Sequence, residues 1–121
     1  QQCDEMLRTM KQRQGTARKV QKLMLEHSGN FPRINDAAQQ LHMSERTLRR
    51  KLAAENTSFQ EVLNDVRYRI ASEYLQSTML SVADIADLLG FADPSNFRRA
   101  FMQWSGLSPA AYRSQTAADS A

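Results

Sequence analysis

Apolar residues along this chain recur three and four positions apart, and no stretch of useful length alternates apolar with polar. Side chains at that spacing share one face of a helix, whereas a half-buried strand would need a period of two, so an all-α fold is expected. Ala17, Val20, Leu23, Met24 and His27 mark the first face, and Gly29 supplies the positive-φ residue on which helices commonly end. Phe31 and Pro32 turn the chain. Ile34, Ala37, Ala38 and Leu41 predict a short helix, His42 and Met43 a tight turn, and Ser44 an N-cap for a helix carrying Leu48 and Leu52. Beyond a break at Asn56 and Thr57, Ser58 with Glu61 matches the capping box, in which each side chain satisfies a free amide at the helix start. The long helix that follows keeps Phe59, Val62, Leu63, Val66, Ile70 and Tyr74 on one stripe for about five turns, the length of a rigid connector.

The second half repeats the first. Ser81 with Asp84 again fits a capping box, Val82, Ile85, Ala86 and Leu89 define a short helix, and Gly90 ends it. Asp93 is the next N-cap and Pro94 sits at the first helical position, where a missing N–H costs nothing. Phe97, Ala100, Phe101 and Trp104 form the buried face of that helix, and Gly106 stops it. Ser108-Pro109 starts a last turn through Tyr112, and the Ser/Ala/Asp tail beyond lacks the hydrophobicity to order itself. Laid over one another, Ala38 meets Ala86, Leu41 meets Leu89, Ser44 meets Asp93, Leu48 meets Phe97 and Leu52 meets Phe101, with one extra residue in the second turn. Each copy reads as a helix-turn-helix, in which a small residue lets the second helix cross closely. The domain limits expected are an interdomain linker ending over 1–15, a first helix-turn-helix over 16–57, a connector helix over 58–77, a second helix-turn-helix over 78–113 and a disordered tail over 114–121.

A helix-turn-helix acts through the exposed face of its second helix, which can lie in the major groove with side chains at base edges. At 100° per residue, Leu48 and Leu52 point inward, leaving Arg46, Arg50 and Ala53 opposite and Arg49 on the flank. The same geometry about Phe97 and Phe101 turns Ser95, Arg99 and Met102 outward, with Arg98 and Asn96 on the flanks. Arginine can grip guanine O6 and N7 with two hydrogen bonds. Arg46, Arg49, Arg50, Ser95 and Arg99 are therefore the expected base contacts. Ser44, Thr47, Lys51, Asn96 and Arg98 are the expected backbone contacts.

Charge sharpens this picture by its placement. The net charge of +3 is modest for 121 residues. Yet Arg46, Arg49, Arg50 and Lys51 fall within six positions, and the stretch from Pro94 to Arg113 contains no carboxylate. The one cysteine, Cys3, leaves no intramolecular disulfide or cysteine-based zinc site and reads as a spectator thiol suited to a reducing cytoplasm. No apolar run reaches the ~20 residues of a membrane span. A start at Gln1 rather than Met is expected of a fragment whose missing part holds a sensor.

From about Thr16 to Arg113 the chain resembles the DNA-binding domain of the AraC/XylS family. The resemblance is carried by Ile85-Ala86-x-x-Leu89-Gly90-Phe91, by Ser95-x-Phe97-x-Arg99-x-Phe101, and by Gly106-Leu107-Ser108-Pro109-x-x-Tyr112-Arg113, with Arg67, Ile70 and Ala71 in the connector. It implies a monomeric domain whose two recognition helices enter adjacent major-groove segments of double-stranded DNA. It further implies an attached N-terminal sensing or dimerisation domain and RNA polymerase as a partner, in a bacterial cytoplasm. Two departures stand out: His42 where the second unit has Gly90, and Met102-Gln103 in place of a frequent basic pair. Two other classes of function compete with this one. An enzyme would need convergent acid, base or nucleophile; His27 and His42 lie in different elements without ligand spacing, and no cofactor or metal is expected. A helical protein-interaction module, its basic face turned to an acidic partner, remains open at the level of sequence.

Overall fold

The structure, a computed structural model, describes residues 14–120, with side chains through Thr116; Cys3 and the expected linker up to residue 13 lie outside them. Seven helices are found among the described residues. In chain order they are α1 (Gly15–Glu26), α2 (Ile34–Gln40), α3 (Glu45–Ala54), α4 (Phe59–Ser77), α5 (Val82–Leu88), α6 (Pro94–Ser105) and α7 (Pro109–Ser120). The chain divides into two compact units, and the division falls inside α4, between Arg67 and Tyr68.

In the first unit, Val20 and Met24 of α1, Ala37 and Ala38 of α2, Leu48 and Leu52 of α3, and Val62 and Val66 of α4 are buried. Helix α3 packs on both α1 and α2. The N-terminus of α1 finds no cap in its own N-cap residue, Gln14. Instead the Glu55 carboxylate, just past α3, accepts the Thr16 and Ala17 amides at 3.0 and 2.9 Å. The Ala17 amide bond, then those from Thr16 and the charge of Lys51, hold Glu55 below the usual carboxylate range against an opposing push from burial.

In the second unit, Ala71 and Leu75 of α4, Ile85 and Ala86 of α5, Leu89, and Phe97 and Phe101 of α6 are buried. Of the face expected as core, Phe97 and Phe101 are buried while Ala100 and Trp104 are half-buried, and Phe101 is in ring contact with Phe97, Tyr68, Trp104 and Tyr112. Arg113 lies in a stretch where positive charge was expected to gather, but its guanidinium is turned inward. It donates to the carbonyls of Leu75, Tyr74 and Thr78 at 3.1, 3.3 and 3.2 Å, closing the C-terminal end of α4 where a cation meets the negative end of the helix dipole. Tyr112 accepts a hydrogen bond from Gln76 at 2.8 Å beside it.

Two elements differ from the sequence pattern. The last helix, expected to end near Arg113, runs on to Ser120, so residues 114–120 are helical rather than an unstructured tail. Thr116 is buried, and its hydroxyl donates to the Arg113 carbonyl at 3.0 Å, so packing and local bonding continue past the last large apolar residue. The single stripe read along α4 also shifts. Full burial passes from Val62 and Val66 to Ala71, Ser72 and Leu75, whereas Ile70 and Tyr74 are only partly buried. Val62 and Ala71 are nine positions apart, about half a turn out of phase at 3.6 residues per turn, which a small residue such as Ala71 does not announce in a hydrophobicity pattern.

Candidate nucleic-acid interface

The two helix-turn-helix units are built on one set of backbone bonds. At the end of α2 the amides of His42 and Met43 donate to the carbonyls of Gln39 and Ala38; at the end of α5 those of Gly90 and Phe91 donate to Asp87 and Ala86. All four bonds measure 3.0 Å. This is the Schellman closure, and it requires a left-handed residue at its pivot. The pivots are His42 at φ 60° and Gly90 at φ 80°. The departure noted in the sequence at His42 is thus a change of side chain with the backbone preserved. Ala38 and Ala86, the small residues of the repeat, are buried at the crossing with α3 and α6 respectively.

Beyond each turn an N-cap sets the start of the second helix. Ser44 Oγ accepts the Thr47 amide at 3.1 Å and donates to the Thr47 hydroxyl at 3.0 Å. Asp93 accepts the Asn96 amide at 2.9 Å, with Pro94 at the first helical position. Burial of Leu48 and Leu52 then determines which side of α3 faces water. Arg46, Arg49, Arg50 and Lys51 are all exposed. Arg49 differs from its neighbours, since its Nε pairs with Glu45 one turn earlier at 3.0 Å. It also borders a groove of about 380 Å³ that Arg33, Phe31 and Arg67 help to line. There the Arg67 guanidinium stands 5.8 Å from the Phe31 ring centre, and burial lowers its pKa.

On α6 the burial of Phe97 and Phe101 leaves Ser95, Arg98 and Arg99 exposed and Asn96 half-buried. These residues are linked. Asn96 donates through Nδ2 to Asp93 at 3.4 Å, and its amide oxygen accepts from the Arg99 guanidinium. Each unit therefore presents arginines on the outer face of its second helix, with the N-cap and its hydrogen-bonded neighbour at that helix's N-terminus. All ten residues expected to contact DNA lie on or next to α3 and α6, and none is fully buried. Glu55 and Arg113 were not anticipated. Each fixes a helix end through side chain to backbone bonds across more than 30 residues of chain. The Tyr112-Arg113 pair of the last motif was the one sequence signal that could have marked Arg113 as structural.

A family model for a helix-turn-helix domain matches residues 37–115. The chain belongs to the AraC-type helix-turn-helix family. This AraC-type domain is 48% identical over 113 residues to the ornithine utilization regulator of Pseudomonas aeruginosa, covering 93% of this chain and 33% of that protein. Among solved structures, the transcriptional regulator CdpR of Pseudomonas aeruginosa matches with a TM-score of 0.79 and 38% identity, over 83% of this chain and 32% of that one. The DNA-binding domain of the global transcriptional factor AdpA, solved in complex with a target DNA, matches with a TM-score of 0.74 and 28% identity, over 88% of this chain and 96% of that one. The AraC-type domain spans about a third of the length of the curated relatives that it matches first. It is a DNA-binding fold of transcription regulators, and its family is not one of enzymes.

Proposed function

We propose that this AraC-type domain binds duplex DNA sequence-specifically, with α3 and α6 as recognition helices in adjacent major-groove segments. The observation that carries the reading is the repeated one: two second helices, started and oriented by matching turns, each turn exposed arginines outward opposite a buried apolar pair. Arg46, Arg49, Arg50, Ser95 and Arg99 make the base contacts. Ser44, Thr47, Lys51, Asn96 and Arg98 hold the sugar-phosphate backbone. Arg49 and Arg99 exchange their present partners, Glu45 and Asn96, for DNA. The two helix-turn-helix units extend over 16–57 and 78–113, and α4 serves as the connector between them.

The two copies differ in their outward residues, so they read different half-sites and one molecule occupies a non-palindromic site. The rest of the parent regulator supplies a sensing or dimerisation domain, and the assembled regulator meets RNA polymerase at a promoter in the bacterial cytoplasm, associated with the nucleoid. Selection of bound sites from a random duplex pool tests the core of this reading. A single asymmetric consensus bound one to one is the expected result. Equal binding to selected and scrambled duplexes would favour a basic protein-interaction module instead, and two protomers on the minimal site would remove the monomeric reading.

A further inference from the structure

The outward face of α6 carries an apolar side chain among its polar ones. Ser95, Arg99 and Met102 are four and three positions apart, which places them on one side of the helix, opposite Phe97 and Phe101. Met102 is 47% exposed. Exposure of a single apolar side chain is ordinary on a protein surface, so its position has to carry the argument. The other large apolar side chains exposed among the described residues, Leu25, Met79 and Leu88, lie in α1, in the turn after α4 and in α5. Met102 alone of these stands on a proposed recognition helix. Together with Arg98, Arg99, Gln103 and Ser108 it borders an open depression of about 420 Å³ that no carboxylate lines.

We propose that Met102 is a specificity-determining residue that reads the 5-methyl group of a thymine in the major groove, beside the base contacted by Arg99. The inference rests on α6 being the second recognition helix. In the major groove thymine alone among the four bases presents a methyl group, and an apolar side chain is what recognises it. A thioether has no charge and no donor with which to hold a phosphate, whereas its flexible, polarisable chain packs readily against a methyl. The rise from Arg99 to Met102 is about 4.5 Å at 1.5 Å per residue, so the methyl lies one or two base pairs from the base that Arg99 reads. Arg99 and Met102 stand three residues apart on one helix whose start is fixed by the Asp93 cap and Pro94, which gives the pair a common register.

The experiment replaces each thymine of a selected duplex, in turn, with 2′-deoxyuridine, which removes the methyl and leaves every hydrogen-bonding group in place. One position in the second half-site should weaken binding of the wild-type chain about fourfold, the worth of one buried methyl group. The same replacement should leave Met102→Ala unaffected, and 5-methylcytosine introduced at that position should restore part of the wild-type affinity. Met102→Lys should lose the methyl preference and steepen the salt dependence by about one phosphate contact. Equal sensitivity of wild type and Met102→Ala to the lost methyl, or sensitivity at no position, overturns the proposal while thymine-containing duplexes still bind. Failure to bind any duplex would overturn the DNA-binding reading itself, and this one with it.

Discussion

The arginines of α3 are alike in chemistry and unlike in setting. Arg46 and Arg50 share the side opposite Leu48 and Leu52, whereas Lys51 lies toward the flank and Arg49 pairs with Glu45. Base contacts and phosphate contacts separate by how their loss depends on sequence. Arg46→Ala or Arg50→Ala should cost about 1–3 kcal/mol on the selected duplex and relax base preference at one half-site. Lys51→Ala should weaken binding to every duplex alike and lower the slope of log affinity against log salt by about one. Titrations of selected and scrambled duplexes at several salt concentrations distinguish the two behaviours. A uniform loss for Arg46→Ala or Arg50→Ala would make those residues phosphate contacts.

Helix ends, more than helix interiors, decide how the two units are held. Gly90 and His42 occupy equivalent left-handed pivots, yet a Cβ in that conformation carries a penalty of about 1–2 kcal/mol. Gly90→Ala should therefore lower stability by about that amount in a denaturation curve. His42→Gly removes an existing penalty against a glycine entropy cost of about 0.5–1 kcal/mol, so it should leave stability unchanged or raised. An unchanged midpoint for Gly90→Ala would show that the α5 turn can be rebuilt without a left-handed residue.

The Glu55 carboxylate offers a second test at the scale of elements, this time through pH. Its folded pKa is lowered, so the stability it contributes is present above the ordinary carboxylate value of 4.5 and is lost as pH falls through the lower folded value. Glu55→Gln, which mimics the protonated form, should be less stable at pH 7 by about 1 kcal/mol, the usual worth of a helix cap. The gap between variant and wild type should close as pH falls from 4.5 through the lower folded value. A gap of constant size from pH 7 to pH 3 would mean that the charge on Glu55 contributes nothing to holding α1.

For the whole molecule the division of labour should be unequal. Helix α3 presents Arg46, Arg49, Arg50 and Lys51, whereas α6 presents Arg98 and Arg99 followed by the uncharged Met102 and Gln103, with the Asp93 carboxylate at its N-terminus. Attraction to phosphates scales with the cations presented, and counterion release makes each contact count for more at low salt. Arg50→Ala should accordingly weaken binding more than Arg99→Ala on one duplex, by a margin that narrows as salt rises. Greater damage from Arg99→Ala at both low and high salt would place the main hold in the second unit.

Periodicity, caps and the internal repeat by themselves determined the all-α class, the order of the helices, the pairing of Ala38 with Ala86, and which sides of α3 and α6 carry arginine. These follow from short-range rules, because an N-cap such as Ser44 or Asp93 bonds to an amide three residues away. Contacts distant in sequence were decided only in the tertiary structure. No local rule states that Glu55 caps α1 across 38 residues, or that Arg113 closes the end of α4 across a similar distance. Nor does pattern alone reveal that full burial along α4 passes from Val62 to Ala71, since alanine and serine suit either face of a helix until neighbouring side chains exclude water from one of them. Charge was legible as composition, and its use was not. The same residue type pairs with Glu45 at Arg49, bonds to Asn96 at Arg99 and caps a helix at Arg113, because a guanidinium goes to whichever acceptors the packing of apolar residues brings within its reach.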